Sequence, residues 1–252
     1  MNRLPDILNS FEAISLEEMD RVKLMNRVDT KFVFPLYQLE DILQSLSPDY
    51  KVLEVNNNRI SRYESLYFDT KGFDLYHHHH RGKMNRFKVR FRKYVESELD
   101  FFEVKFKNNK GRTIKDRVRQ APSGDQIRDD AEHLLQEKTR MDADQLEAKL
   151  WVNYSRITLV NKHSTERVTI DLDLRFKNEH QTSELQNLVI AEVKQDKLSI
   201  FTPFMQSMRE HKIRRGSISK YCFGVVALFN DIKHNNFKVR ISRLIKLAHG
   251  TT

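Results

Sequence analysis

Between Arg86 and Lys107 the chain reads RFKVRFRKY, VESEL and DFFEVKFK, two alternating runs joined by a short link. With a period of two, Arg86, Lys88, Arg90 and Arg92 share one face, and Phe87, Val89 and Phe91 share the other. In the second run Glu103, Lys105 and Lys107 oppose Phe102, Val104 and Phe106. Phe and Val suit strands, and the link has the length of a hairpin connection, so an antiparallel pair is predicted. One reading puts the apolar face on a core and the charged face in water. An ordinary wet face mixes signs and includes Ser, Thr and Gln, whereas the polar face of the first run is wholly basic. Without an anion, such a face only repels itself.

The remaining composition widens that observation. The chain has 252 residues with 44 Lys and Arg against 35 Asp and Glu, a formal charge of +9. That favours polyanionic partners such as phosphate chains, nucleotides, nucleic acid or an anionic membrane surface. Only seven Gly and five Pro occur, so long flexible linkers are not expected, and residues 1–252 read as a single domain with a basic tail at about 231–252. Cys222 is the one cysteine, which excludes an internal disulfide and a cysteine-based zinc site. The longest strongly apolar run, CFGVVALF at 222–229, is far short of a bilayer span, and the first twenty residues lack a signal-peptide core. A soluble, cytoplasmic protein is expected.

Other segments repeat the plan of the hairpin. RVDTKFVF from Arg27 alternates Arg27, Asp29 and Lys31 with Val28, Thr30 and Phe32; residues 51–56 and 59–69 read as strands. So do the stretches from Tyr154 to Leu159, from Arg167 to Leu174 and from Leu188 to Lys194. In the second of these, Val168, Ile170, Leu172 and Leu174 are expected on one face, with Arg167, Thr169, Asp171 and Asp173 opposite. Helices are expected at 15–25, opened by a capping box from Ser15 to Glu18, at 36–46, across 125–150, and within 203–229, where Ser217 or Ser219 caps an apolar helix through Phe229. Lys220 falls in the first turn of that helix, where a cation is unfavourable unless an anion is near. The run His77 to His80 reads as a polar loop, since consecutive strand residues face opposite ways and make poor co-ligands.

These helices need apolar surface to pack on, and the apolar strand faces supply it. The charged faces then point inward if the sheet closes. The expected fold is therefore α+β: a closed antiparallel β-barrel of about eight strands, a tunnel with a charged lumen, decorated by helices. A lumen crowded with Arg and Lys requires water and a polyanion. Its few acids, Glu103, Asp171, Asp173 and Glu192, could neutralise neighbours or hold a divalent cation through oxygen. The aromatic residues are read as lying on the apolar faces, so no stacking platform for nucleic acid is expected.

RxDTKF at 27–32, YFDT at 67–70 with Tyr76, KVRFRKY at 88–94, FEVKFK at 102–107, RxTL at 156–159, RVTIDLD at 167–173, AEVK at 191–194 and SISKY at 217–221 together resemble the VTC (vacuolar transporter chaperone) domain of the CYTH-like triphosphate tunnel metalloenzymes. The resemblance runs through nearly the whole chain in order. It implies an eight-stranded tunnel that binds a nucleotide triphosphate and builds inorganic polyphosphate from ATP, with Mn2+ or Mg2+ as cofactor. It implies phosphate contacts at Lys31, Arg90, Arg92, Lys105, Lys107, Arg156, Arg167, Lys194 and Lys220. Of these, Lys220, Arg90, Arg92 and Lys105 would act on the reacting phosphates. Glu192 would be the principal metal ligand, supported by Glu103 and Asp171. Hydrolases and cyclases of the wider group open with ExExK, whereas here Arg27, Asp29 and Lys31 occupy that pattern, which favours the VTC branch. Hydrolysis of a triphosphate, or binding of polyphosphate or inositol phosphates without catalysis, uses the same lining. Coupling to membrane transport would need a separate membrane-protein partner.

Overall fold

A computed structural model describes residues 3–21, 27–216 and 218–249. Ser217 and the second half of the helix expected at 15–25 lie outside them. In chain order the elements are α1 (Leu4–Asn9), β1 (Glu12–Ile14), α2 (Leu16–Arg21), β2 (Val28–Pro35), α3 (Leu39–Leu46), β3 (Tyr50–Leu53) and β4 (Ser61–Thr70). Next come α4 (Asp74–His80), β5 (Arg86–Tyr94), β6 (Leu99–Lys107), β7 (Thr113–Arg119), α5 (Asp129–Thr139), β8 (Leu146–Asn161), β9 (Arg167–Lys177) and β10 (Thr182–Leu185). The chain ends with β11 (Leu188–Gln195), α6 (Pro203–Glu210), β12 (Arg215–Gly216), α7 (Lys220–Leu228) and α8 (Lys238–His249).

All the strands join one 12-stranded sheet, whose main path runs β12-β2-β11-β9-β8-β4-β5-β6-β7 through antiparallel pairs. The hairpin forms in the expected register, with Arg90 opposite Glu103 and Lys88 opposite Lys105. Its Phe and Val face packs under α5, where Phe91, Phe102, Val89 and Val104 meet Ala131 and Leu135. On the other half of the sheet, Phe32, Phe34, Val168, Ile170, Val189 and Val193 are covered by α1, α3 and α6. Leu39, Ile42, Leu43 and Leu46 of α3 share a face by the helical spacing, and all four are buried. The Ser15 capping box forms, with reciprocal bonds to Glu18 of 2.9 and 3.2 Å.

Among the described residues the sheet does not close, which corrects the closed barrel. Its edges are β7 and the two-residue β12, and no ladder joins them. One cavity nevertheless touches Asp29 and Lys31 near one edge and Lys107, Thr113 and Lys115 near the other, so the sheet curls until its edges face each other. A last ladder would press Lys115 and Arg117 toward Lys31 and Arg215. Charged residues of one sign on facing edges oppose such pairing.

Three further expectations change. Leu146 and Leu150 belong to the long strand β8, opposite Thr70 and Tyr67 of β4, so the helix read over 125–150 is confined to α5. The histidine run lies in α4 rather than in a loop. Asp69 and Thr70 of YFDT make that helix: the Asp69 carboxylate accepts the backbone N–H groups of Leu75 and Tyr76, each at 2.8 Å, and Thr70 Oγ1 accepts that of Asp74 at 2.9 Å. Finally, Asp173 has a φ of 52° at an irregularity of the β8–β9 ladder. The alternation slips there, so Leu172 stays in the outer core while Leu174 turns to the concave side.

The concave side is thus charged at one end and apolar at the other. The apolar end is filled by α7 and by α8, which buries Leu244 and Ala248 beside Val33, Leu188 and Ile190. A methyl group at Gly224 of α7 would lie 2.6 Å from Leu150 Cδ1 and 2.6 Å from Phe176 Cδ1. Gly224→Ala is expected to lower stability by about 1–3 kcal/mol through overpacking, read as a shift in the urea midpoint. An unchanged midpoint would show that α7 has room to retreat.

Candidate functional site: a cationic cavity over a floor of paired charges

Three acids of the concave face each sit between two cations. Glu103 accepts Arg90 Nε at 2.7 Å, a second Arg90 N–H and Lys115 Nζ at 2.9 Å. Asp171 takes Arg156 in a two-pronged contact, 2.6 Å from Nε and 2.9 Å from Nη2, and also takes Lys220 Nζ. Glu192 lies 2.6 Å from Lys31 and 3.9 Å from Lys194. Burial alone would raise these carboxyl pKa values. Arg90, Arg92 and Lys115 instead hold Glu103 far below the usual carboxylate range, Arg156 and Lys220 do the same to Asp171, and Lys194 and Lys31 to Glu192. All three are ionised at any physiological pH.

Tyrosines bed these cations, which corrects the expectation that aromatics keep to the apolar faces. Tyr63 and Tyr154 stack with centroids 5.2 Å apart; Arg156 lies 4.8 Å from the first ring, and Lys220 lies 4.7 Å from the second. Arg92 sits over both rings and donates to Ser65 Oγ at 3.1 Å, while Arg90 donates to the Tyr67 hydroxyl at 2.6 Å. Arg90, Arg92 and Arg156 therefore form a fixed floor rather than free arms. The alternation of β8 carries part of the tyrosine signal, since Tyr154 shares a face with Arg156, whereas in β4 Tyr63 and Tyr67 alternate with the charged Arg62 and Glu64.

Above the floor is a cavity of about 980 Å3, lined by Lys31, Lys88, Lys105, Lys107, Lys115 and further basic residues, with Asp29 and Asp196 as its acids. Lys105 lies between Lys88 and Lys115 on the neighbouring strands. Burial, then Arg90 and Arg92, push its pKa well below the usual lysine range despite the opposing pull of Glu103. Among the described residues no carboxylate lies within ion-pair distance of Lys105 or Lys107. Lys88 donates to Ser219 Oγ at 2.9 Å, and the same hydroxyl accepts the Cys222 N–H at 3.3 Å, so Ser219 is the observed cap of α7. Lys194 is brought down to about 8, chiefly by burial, with Glu192 opposing and Arg156 assisting.

The expected residues are thus divided. Lys105 and Lys107 face the cavity, and Lys31 lines it while paired with Glu192. Arg90, Arg156, Lys194 and Lys220 form the ion-paired layer, and Arg92 is held by Ser65 and the Tyr63 and Tyr154 rings. Arg167 lies at the start of β9, where it donates to the Met19 carbonyl. Lys88, Lys115 and Asp29 were not singled out from the sequence, although Lys88 and Asp29 sit on the charged faces read from it.

The metal set Glu192, Glu103 and Asp171 is not one cluster. Among the described residues, no group of three His, Cys, Asp or Glu side chains could hold an ion. The two carboxylates that fit one together are Glu192 and Asp29, on adjacent strands where Asp29 faces Lys194 and Glu192 faces Lys31. Burial and then the Glu192 charge raise the Asp29 pKa, which is the mark of two acids sharing one region. A Mg2+-type ion commonly takes one or two carboxylates and completes its shell with substrate phosphates and water.

The protein is thus a curled antiparallel sheet whose concave face gathers cations around a central cavity. The VTC domain profile matches residues 26–229, and the chain belongs to that family. Among curated proteins none matches it in sequence. Solved structures share the fold at low identity. One, from Hippeastrum, is described as an adenylyl cyclase candidate with a dominant triphosphatase activity; it has a TM-score of 0.54 and 13% identity, over 84% of this chain and 100% of that one. Another, from Bacillus halodurans, is described as an adenylate cyclase candidate, with a TM-score of 0.52 and 12% identity, over 81% of this chain and 98% of that one. No helix among the described residues is long and apolar enough to cross a membrane.

Proposed function

We propose that the protein is a polyphosphate polymerase that transfers the γ-phosphoryl group of ATP to an inorganic polyphosphate chain. The observation that carries this reading is the row Lys88, Lys105 and Lys115, three adjacent lysines facing a cavity over a floor whose acids are already neutralised. That surplus charge matches an extended chain of phosphates better than a single small anion. In the reaction a terminal oxygen of the acceptor chain attacks the γ-phosphorus, the bond to the β-bridging oxygen breaks, and ADP leaves. The chain grows by one phosphate, and no protein nucleophile is needed.

Lys31, Lys105 and Lys107 bind phosphate oxygens directly. Lys220 and Lys194 approach from the floor, where Asp171 and Glu192 hold them in place. Arg90, Arg92 and Arg156 supply a preorganised positive field behind the reacting group. Arg167 positions the start of β9 rather than touching substrate. Glu192 and Asp29 would hold Mn2+ or Mg2+, which when bound neutralises charge on the phosphate oxygens.

A second reading, hydrolysis of a triphosphate, is favoured by the triphosphatase activity described for the Hippeastrum neighbour. It uses the same lining with water as acceptor. Incubation with ATP and Mn2+ followed by sizing of the products separates the two. Long chains are expected; orthophosphate alone would establish the hydrolase, and tight binding without product would leave a polyphosphate- or inositol-phosphate-binding module.

The depressed lysines give a pH signature. Lys194 loses its proton in the fold near 8 but in the unfolded chain only near the ordinary value of 10.5. Between those values the unfolded state binds more protons, so stability of the ligand-free protein rises with pH. Tripolyphosphate affinity moves the opposite way, because the cation is lost. Calorimetric titrations from about pH 7 to about pH 9.5 are expected to show affinity falling above about pH 8; a flat profile would remove Lys194 from the site.

A further inference from the structure

The charge that keeps β7 and β12 apart also describes what fits between them. β7 is bonded to β6 on one side, and among the described residues no strand takes up its other side. The ladder with β6 is flanked by two bonds: the Asn108 N–H donates to the Arg112 carbonyl at 3.0 Å, and the Gln120 N–H to the Asp100 carbonyl at 3.2 Å. Antiparallel bonding alternates along a strand, so the even-numbered residues of β7 are the ones tied to β6. The backbone N–H and C=O groups of Thr113, Lys115, Arg117 and Arg119 therefore point into the gap. Such a row is a template for one more strand.

The side chains of the same edge restrict that strand. Thr113 and Lys115 line the cavity, and the alternation puts Arg117 and Arg119 on the same face. Lys115 meets Glu103, whereas Arg117 and Arg119 are exposed, with no carboxylate within ion-pair distance among the described residues. Arg117 lies over the Phe101 ring, 4.4 Å from its centroid. On the other face Asp116 is 3.6 Å from Lys138 of α5, Val118 is half-buried against the core under α5, and Ile114 is 48% exposed. A second copy of the chain is a poor occupant. Two-fold pairing of β7 with itself sets Lys115, Arg117 and Arg119 against their own kind.

We propose that the free edge of β7 is a docking site for an extended acidic segment of a partner protein, paired antiparallel, with Asp or Glu at every second position. Its acids face Lys115, Arg117 and Arg119, and the apolar side chains between them cover Ile114 and Val118. Main-chain bonds supply the affinity, and the alternation supplies the choice of partner. The added strand lies in the gap toward β12, so docking narrows the slot. This inference stands on the edge itself and is independent of the reaction proposed for the cavity.

The probe is a seven-residue peptide with blocked ends, Glu at alternate positions, and Val or Thr between them. In the proposed pairing the Glu N–H groups point at β7, and those of the intervening residues point away. Calorimetry reads the affinity, and hydrogen exchange over residues 113–119 locates the peptide. The wild-type protein is expected to bind it with slowed exchange along β7. N-methylation of the Glu residues is expected to weaken binding at least about tenfold, and N-methylation of the intervening residues less than about twofold. The double variant Arg117→Thr, Arg119→Thr, checked for folding by thermal melting, is expected to lose at least about tenfold. Should that variant fail to fold, the methylated peptides still decide. Equal binding of both methylated peptides, or full binding by the folded variant, would reduce the contact to attraction by the basic cavity and overturn the docking site. Absence of binding to the wild-type protein would overturn it as well. If sedimentation shows a dimer whose exchange protection covers β7, the edge belongs to a second copy and the proposal fails.

Discussion

Glu192→Ala is expected to lower phosphoryl transfer from ATP by more than about a hundredfold while metal-free tripolyphosphate still binds. The reason lies in the position of Glu192 between Lys31 and Lys194. Its loss removes the better of the two carboxylates that fit a divalent ion, yet it also releases two cations toward the ligand. Turnover and affinity should therefore separate, with turnover collapsing and affinity unchanged or tighter. Product assays with Mn2+, paired with calorimetry in a chelator, read both. Turnover within about tenfold of wild type would show that Glu192 is not a metal ligand. A matching fall in affinity would mean that the substitution disturbs the cavity rather than the ion.

The largest effect on stability is expected at Glu103, whose side chain is 0% exposed and faces an Arg90 side chain that is 5% exposed. Glu103→Ala leaves the guanidinium buried with only the Tyr67 hydroxyl as a close partner, and Lys115 loses its carboxylate. Breaking a buried pair by removing one member typically costs about 3–5 kcal/mol, because the surviving charge has no compensation. Glu103→Gln keeps the shape and one acceptor and should cost less. Urea unfolding of both variants tests this; a loss below about 1 kcal/mol for the alanine variant would mean that Arg90 swings out to water. Since the carboxyl is held ionised by its neighbours, its contribution is fully present at neutral pH and fades only on strong acidification.

Local periodicity makes much of this architecture legible in the sequence. Phe87, Val89 and Phe91 against Lys88, Arg90 and Arg92 announced a strand with unlike faces, and β5 pairs with β6 in the register that pattern requires. The alternation failed where the backbone stops alternating, as at Asp173, whose positive φ turns Leu174 away from Leu172. Nothing in the letters marks that slip, because Asp173 resembles Asp171 two residues earlier. Leu146 and Leu150 were misread as helical because a spacing of four fits a helix and a strand face equally well. Their partners Thr70 and Tyr67 decide the matter, and such partners are set by the whole fold.

The site was legible as a set of residue types more than as a geometry. Lys31, Lys105 and Lys107 were found from their faces and from the resemblance, and they do meet around one cavity. Which acid pairs with which cation depends on the register between β11 and β2 and between β9 and β8, and long-range register is invisible in a single chain. That register separates Glu103, Asp171 and Glu192 into distinct ion pairs and brings Asp29 beside Glu192 instead. The capping role of Asp69 was hidden in the same way, since its hydrogen-bond partner Tyr221 lies far along the chain.

The gap between β7 and β12 changes what a long ligand must do to get in. A closed ring admits a polymer only end-first, so every repeat unit has to be dragged through in turn. A slot admits it sideways, and the middle of a molecule docks as readily as its tip. A strand of phosphates lying in the slot by its middle satisfies the lysines but offers no free terminus to the reacting centre. On the proposed polymerase reading, occupancy and productive alignment would then be separate events, and the longest chains, having the most interior per end, would be the best occupants and the poorest acceptors.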